Sequence, residues 1–406
     1  MSVDASEGGA RGSAEPGSQE LFNIAQVYEA VAAANPDRAA IVQGDTTISY
    51  RELDARTRRF AHALAARGFG VTRERSELAG HESGQDHVAL YLHNGPEYLE
   101  AMLGAYKART APFNVNYRYV AEELRYLLAD AGARVVVYHD TFAPTLAEVL
   151  GDLPEVSLLV QVPDTSGNEL LPGAVRYQDL LAEGSDDPVD LAWSPDDLYI
   201  LYTGGTTGMP KGVLWRQHDI FISAMGGRPF GRTDTFETLD AIVEASRSGG
   251  VRMMSVAPLM HGAAQWATFT AFTGGNTVVL AEDPVHLDPT AVWRTVERER
   301  VLTLQIVGDA MGRPLIEELE RGSYDLSGLL ALVSGGAALN TVLKDRFLEV
   351  AGPGDRDRRD RGGRARHRAR RRRVVGDRCP DGSHVGEGRH GDGHVRPRAR
   401  DRGGEP

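Results

Sequence analysis

The chain has 406 residues, 41% of them apolar and 25% charged, with a formal net charge of −12. Such a composition belongs to a folded protein with a sizeable core, and the acidity argues against nucleic acid as the main partner. The one cysteine, Cys379, excludes an internal disulfide and a cysteine metal cluster, and no apolar run reaches the roughly 18 residues of a membrane span.

Residues 1–20 are small, polar and acidic without the apolar core of a signal peptide, so a disordered tail and a cytoplasmic setting are expected. A helix is predicted from Leu21 to Ala34. Ala39–Val42 and Thr47–Tyr50 form a hairpin around Gly44-Asp45. Ser49 then caps a helix with Glu52 at the reciprocal position, and Leu53, Phe60 and Leu64 share one face. Thr72–Asp86 is a polar loop. Strand His87–Leu92, helix Pro96–Ala108, strand Ala111–Val115, helix Val120–Ala131 and strand Arg134–Tyr138 follow. Helix Phe142–Leu150 and strand Ser157–Val162 come next. Residues 163–196 read as linker with a short helix near Tyr177–Leu181.

The stretch that organises the chain is 198–220. Leu198–Tyr202 is an apolar strand, and it feeds a loop, Thr203 to Lys211, that holds Gly204, Gly205, Thr206, Thr207 and Gly208. Glycines let backbone N–H groups converge on an anion, threonine hydroxyls add donors, and a lysine adds a point charge. Lysine occurs only at 107, 211 and 344, against 42 arginines, which singles out Lys211. The loop lacks the Gly-Lys-Ser/Thr ending of a Walker A motif, because Met209 and Pro210 separate Gly208 from Lys211. The bland alternative is a Gly/Thr turn between two strands.

Beyond the loop, a helical region near 216–226 precedes a variable stretch at 227–250. Strand Arg252–Ala257, helix 262–273, strand Thr277–Leu280, helix Pro289–Arg298, strand Val301–Val307 and helix Asp309–Arg321 continue the alternation. Strand Leu329–Ser334 and helix Asn340–Val350 complete it. Strand and helix alternating over some 300 residues predict an α/β protein with mainly parallel sheets.

The order Tyr-Thr-Gly-Gly-Thr-Thr-Gly-Met-Pro-Lys-Gly at 202–212 resembles the phosphate-binding signature of adenylate-forming enzymes, the superfamily of acyl-CoA synthetases, luciferases and peptide-synthetase adenylation domains. Two further blocks are in register with it. Pro258-Leu-Met-His261-Gly262 is similar to the second core motif, and Gly335-Gly336-Ala337 to the loop that packs on adenine and the acyl group. The segment 112–128 and the three blocks together resemble actinobacterial fatty acyl-CoA synthetases, including those that act on sterol side-chain acids, over about 21–353. The resemblance implies the large N-terminal domain of that fold, with stacked, mainly parallel sheets flanked by helices. It implies a two-step reaction: ATP with Mg²⁺ and a carboxylic acid give an acyl-adenylate, and coenzyme A then takes the acyl group. The 203–211 loop would hold the β- and γ-phosphates. His261 would position the carboxylate rather than act as a base. Gly308, Asp309 and Ala310 would line the acyl tunnel, with helix capping as the plainer role for Asp309. The Asn and Tyr residues of 112–128 are expected to fix a turn and a helix start.

From 356 to 406 the chain contains 17 arginines, 8 acids and no Leu, Ile, Met, Phe, Tyr, Trp or Lys, so no core can form there and 354–406 is expected to be a disordered tail. Reading the codons of Arg373–Asp381 one nucleotide later permits Gly-Ser-Ser-Glu-Thr-Gly-Ala-Gln, similar to a motif the superfamily places soon after the glycine-alanine loop. A shifted reading frame is therefore the favoured account of the tail. In the frame given, the Mg²⁺-binding Thr-Glu, the ribose-binding Asp and the C-terminal domain with its lysine are absent, so no metal ligand is assigned and an inactive product is expected. Two other readings stand beside it: an amino-acid-activating enzyme, for which Asp309 is the nearby acidic anchor, and a non-catalytic nucleotide-binding remnant with a basic, nucleic-acid-binding arm.

Overall fold

Apolar strands that alternate with amphipathic helices can bury both faces of a parallel sheet only if helices cover each face. A computed structural model describes residues 20–204, 208–229 and 231–351, and these residues meet that requirement twice. In chain order the elements are α1 (Ile24–Ala34), β1 (Ala39–Gln43), β2 (Thr46–Ser49), α2 (Tyr50–Ala65), β3 (His87–Tyr91), α3 (Pro96–Lys107), β4 (Ala111–Asn114) and α4 (Ala121–Asp130). Next come β5 (Ala133–His139), α5 (Ala143–Val149), β6 (Leu158–Val162), β7 (Val175–Arg176), α6 (Tyr177–Glu183), β8 (Leu198–Thr203) and β9 (Lys211–Arg216). The remainder is α7 (Gln217–Ala224), α8 (Leu239–Arg247), β10 (Arg252–Ser255), α9 (Gly262–Thr273), β11 (Thr277–Leu280), α10 (Pro289–Arg298), β12 (Thr303–Ile306), α11 (Gly308–Arg321), β13 (Ala331–Ser334) and α12 (Thr341–Ala351).

A seven-stranded sheet has the order β7-β6-β5-β3-β4-β8-β9, and a six-stranded sheet the order β13-β12-β10-β11-β1-β2. Every neighbouring pair is parallel except β8/β9 and β1/β2. Successive residues of a strand point to opposite faces. Val88 and Leu90 therefore enter a central core with Val135, Val137, Tyr199 and Leu201, and residues of the second sheet, Ile41, Val278 and Leu280, join the same core. Helices α1, α2, α3 and α9 fill that layer. The intervening residues Ala89, Tyr91, Val136 and Tyr138 face α4 and α5. Met254, Leu304 and Leu332 face α10, α11 and α12 on the far side of the other sheet. The result is five layers, helix–sheet–helix–sheet–helix.

The local rules operate as read. Ser49 accepts from the Glu52 amide while the Glu52 carboxylate takes the Ser49 amide at 2.8 Å. Gly44, at φ +56°, turns the β1/β2 hairpin. Asn116 closes its turn through the Arg118 amide at 3.0 Å, as its placement before a helix suggested. The strands at 252, 303 and 331 are shorter than expected, and three elements were missed: β7, a two-residue strand in the stretch read as linker, α8 and β9. Residues 227–250 contain α8, a nine-residue amphipathic helix hidden in a stretch rich in Gly, Arg and Thr. Residues 211–216 form β9, whose half-exposed side chains hide it beside a glycine loop. The tails at 1–19 and 352–406 lie outside the described residues, so the disorder expected of them is not addressed. Among the described residues no helix is long and apolar enough to cross a membrane.

The central helical layer encloses charge. Lys107 is fully buried; its Nζ lies 3.0 Å from Glu29, bonds Asp54, and sits over the Tyr28 ring. Glu100, also fully buried, takes both Arg56 nitrogens at 2.6 and 2.8 Å and the Tyr177 hydroxyl at 3.0 Å. Removing one member of such a buried set strands the others, at about 3–5 kcal/mol. Lys107→Met is therefore expected to lower the unfolding free energy measured by urea titration by about 3–5 kcal/mol. A double variant that also carries Asp54→Leu should recover part of the loss.

His139, at the end of β5, is 8% exposed and accepts the His93 amide on Nδ1 at 3.0 Å. Burial, helped by the neighbouring His93 imidazole, pushes its pKa down to about 4. The folded value lies below the ordinary 6.5, so the unfolded chain takes up the proton first. The stability this group contributes is complete above pH ~6.5 and is lost as pH falls towards about 4, on the order of 3 kcal/mol in all. Urea titrations over that window should show a shallower decline for His139→Asn than for the parent chain.

Candidate functional site

In a parallel sheet all strands end on one side, and the loops that leave those ends share one edge. Here the ends of β8, β10, β12 and β13 deliver the singled-out segments. The loop after β8 returns as β9, with Thr203 paired to Lys211, Tyr202 to Gly212 and Leu201 to Val213. β8 and β9 thus form the two arms of an antiparallel hairpin, with Gly204 and Gly208–Pro210 at its open end. Thr203, Gly204, Gly208 and Lys211 are exposed at its mouth, and Gly208 has φ +147°. Gly205, Thr206 and Thr207 lie outside the described residues. No carboxylate among the described residues lies within ion-pair distance of Lys211, so its ammonium is available to an anion. Gly212 is required at the base. A Cβ there would meet the Tyr202 ring at 2.8 Å, and the hydroxyl of that ring is held by Asp130 at 2.8 Å.

The strand β10 runs out into the turn Pro258–His261, closed by the His261 amide on the Pro258 carbonyl at 3.0 Å. His261 precedes α9, and its imidazole is open to solvent. Surrounding protein and the Arg118 guanidinium both disfavour the imidazolium and hold the pKa below the usual histidine value. The ring is therefore neutral at pH 7, which suits a positioning group. Gly262 allows α9 to start against β8: a Cβ there would meet Leu201 at 2.8 Å.

The third and fourth segments interlock. Gly308, at φ +55°, donates its amide to Ser334 Oγ at 3.0 Å, and that hydroxyl donates to the Ala337 carbonyl at 2.8 Å. A Cβ on Gly308 would sit 2.8 Å from that of Ala337. Gly335 and Gly336 face Ala263 at the start of α9, while Gln305 reaches across from β12 to the Ala263 carbonyl at 3.0 Å. Asp309 is not the cap of α11; Val307 holds that position. Its carboxylate bonds the amide and side chain of Asn340, the residue that caps α12 through the Leu343 amide at 2.9 Å. These bonds draw its pKa below the ordinary carboxylate value. Ala310 is exposed one residue further along α11.

The structure thus brings His261–Gly262, Gly308–Asp309 and Gly335–Ala337 into one contiguous patch, and places the hairpin beside it through Leu201. Sequence reasoning missed the polar side chains that lock the patch. Asn94 donates to the Ala257 carbonyl at 3.1 Å and accepts the Leu259 amide at 2.7 Å. Gln265 donates to the Leu259 carbonyl at 2.8 Å and accepts the Tyr199 hydroxyl at 2.7 Å. Asn114 holds the end of β8. The available signal was a polar amide at the edge of an otherwise apolar run, and such a group must be satisfied once buried.

A family model for AMP-binding enzymes matches residues 28–356. The medium-chain acyl-CoA ligase Mig of Mycobacterium avium is 52% identical over 330 residues, which cover 81% of this chain and 60% of that protein. The 3-oxocholest-4-en-26-oate–CoA ligase of Rhodococcus rhodochrous is 34% identical over 338 residues, or 81% of this chain and 58% of that one. The chain therefore spans about 60% of the length of these curated relatives. Among solved structures, the N-terminal domain of FACL13 from Mycobacterium tuberculosis superposes with a TM-score of 0.65 at 24% identity over 80% of this chain and 73% of that one. The anthranilate CoA ligase AuaEII with anthranoyl-AMP gives 0.66 at 20% identity, covering 81% and 58%. Both structures show the fold alone, and the sequence matches show the kinship: the chain belongs to the AMP-binding enzyme family.

Proposed function

We propose that this chain is the acid-activating part of an acyl-CoA ligase for medium- or long-chain carboxylic acids, sterol side-chain acids included, working in the cytoplasm with ATP and coenzyme A and with no nucleic acid. A carboxylate oxygen attacks the α-phosphorus of ATP, the bond to the β-phosphate breaks, and pyrophosphate leaves. The thiol of coenzyme A then attacks the acyl carbonyl and AMP departs. The observation that carries this reading is the convergence of the phosphate hairpin, the His261 turn and the Gly335–Ala337 loop at one edge of the strands.

Thr203, Gly204, Gly208 and Lys211, with Gly205, Thr206 and Thr207 between them, supply donors and a cation for the triphosphate. His261, neutral, positions a carboxylate that is already ionised at pH 7 and needs no base. Gly335, Gly336 and Ala337 permit close approach of a flat ligand, and Gly308, Asp309 and Ala310 form the wall beside it. Because Asp309 is held by Asn340, it offers no free anchor for an amine, which favours fatty over amino acids. Among the described residues no group of three His, Cys, Asp or Glu side chains could hold a metal. Mg²⁺ that arrives on the phosphates of ATP needs only one or two protein oxygens rather than such a cluster, and no step here runs through the ion.

In the sequence as it stands the Thr-Glu pair implied for Mg²⁺ is missing, so the chain alone is expected to make no measurable acyl-CoA. The test is a chimera in which residues 21–351 replace the matched segment of the Mycobacterium avium relative. ATP–pyrophosphate exchange should appear with octanoate to palmitate and not with amino acids. Lys211→Ala in the chimera should reduce it by about 10²–10³. A folded chimera that binds ATP yet exchanges with no fatty acid, or with amino acids instead, would sink the proposal.

A further inference from the structure

The hairpin leaves the seven-stranded sheet, whereas the His261 turn leaves the six-stranded one. Two elements on different sheets keep a fixed separation only if something joins them. The ladder between β4 and β8 registers Phe113 with Ile200, and beyond that pair the side chain of Asn114 takes over. Asn114 is 4% exposed. Its Oδ1 accepts the Tyr202 amide at 2.8 Å, and its Nδ2 donates to the Tyr202 carbonyl at 2.8 Å and to the Met260 carbonyl at 2.7 Å. Tyr202 lies next to Thr203, the last residue before the hairpin tip, and Met260 precedes His261.

We propose that Asn114 is a positioning residue that couples the stem of the phosphate hairpin to the His261 turn, and so sets the carboxylate in line with the phosphate it attacks. The proposal rests on the function argued above. Only a planar amide offers one acceptor and two donors from a single short stem. Aspartate would keep the acceptor for the Tyr202 amide but set a carboxylate oxygen against two carbonyls. Alanine would leave three buried backbone groups without partners. Asn94 provides the comparison. It grips the same turn, at Ala257 and Leu259, but makes no bond to β8.

The experiment is hydrogen–deuterium exchange on the full chain and on Asn114→Ala, Asn114→Asp and Asn94→Ala, with ATP–pyrophosphate kinetics of the same substitutions in the chimera. Both Asn114 variants should raise exchange at 199–204 and 258–264 together and leave β5 and β6 as protected as before. In the chimera they should lower kcat by about 10², the cost of a displacement near 1 Å, while either KM moves less than about threefold. Asn94→Ala should raise exchange at 257–261 only and lower kcat less than about tenfold. The proposal is overturned if the Asn114 variants loosen Tyr202 alone, if exchange rises throughout the sheet, if kcat is retained, or if Asn114→Asp behaves as the parent. A chimera inactive with every acid would end the ligase reading, and the exchange data would still decide whether Asn114 couples the two segments.

Discussion

Parallel strands impose the geometry on which everything else depends. Each sheet is buried on both faces, so neither face can present a polar site, and binding groups are confined to the edge where strands end. The chain follows this strictly. Thr203, His261, Gly308 and Gly335 each lie within a few residues of a strand's C-terminal end, on four different strands of two sheets. They are far apart in sequence yet adjacent in space, because the shared helical core of α1, α2, α3 and α9 sets one sheet against the other. The buried ion pairs of that layer, around Lys107 and Glu100, therefore bear on the site indirectly through the spacing of the sheets.

The departure from parallel order is as informative as the rule. β9 runs antiparallel to β8, which turns the glycine loop into a hairpin tip instead of a strand-to-helix turn. A phosphate loop that opens a helix uses the helix N-terminus as part of its anion site. A loop that joins two paired strands has no such dipole, so the anion site proposed for it would rest on its amides, its hydroxyls and the one lysine. Pairing Thr203 with Lys211 puts that lysine at the mouth, opposite the first threonine. The plain reading of the loop as a link between two strands and the phosphate-binding role proposed for it are thus compatible.

Much of this was readable in the residues. The strand–helix alternation, the Ser49 capping box, the Gly44 hairpin and the bounds of the helices at 262–273 and 289–298 follow from short-range rules, and the structure keeps them. What failed has local causes. α8 is a short amphipathic helix inside a polar stretch rich in Gly, Arg and Thr, and β9 is half exposed beside a glycine loop, so neither stands out from its surroundings. For Asp309 the helix-cap role fails, because Val307 holds that position. Asp309 grips Asn340, 31 residues on, and no local pattern encodes a partner at that distance. The partners of the locking amides Asn94, Asn114, Gln265 and Gln305 were unreadable for the same reason. Each bonds backbone groups supplied by other elements, and only the fold brings those together.

The same amides explain why so open an edge can hold a defined shape. Loops at strand ends have few apolar contacts, and glycine at 308, 335 and 336 lowers the barrier to local rearrangement further. Side-chain amides counter this by satisfying backbone groups that would otherwise turn to water. Ser334 joins Gly308 to Ala337, Gln305 joins β12 to α9, and Asp309 joins α11 to the start of α12. The glycines are there for contact as well as freedom. A methyl group on Gly308 would collide with Ala337, and one on Gly262 with Leu201. The site is thus held by polar ties across steric gaps too narrow for side chains. Much of its surface is therefore backbone, which the flat nucleotide and extended acyl chain proposed for it could approach closely.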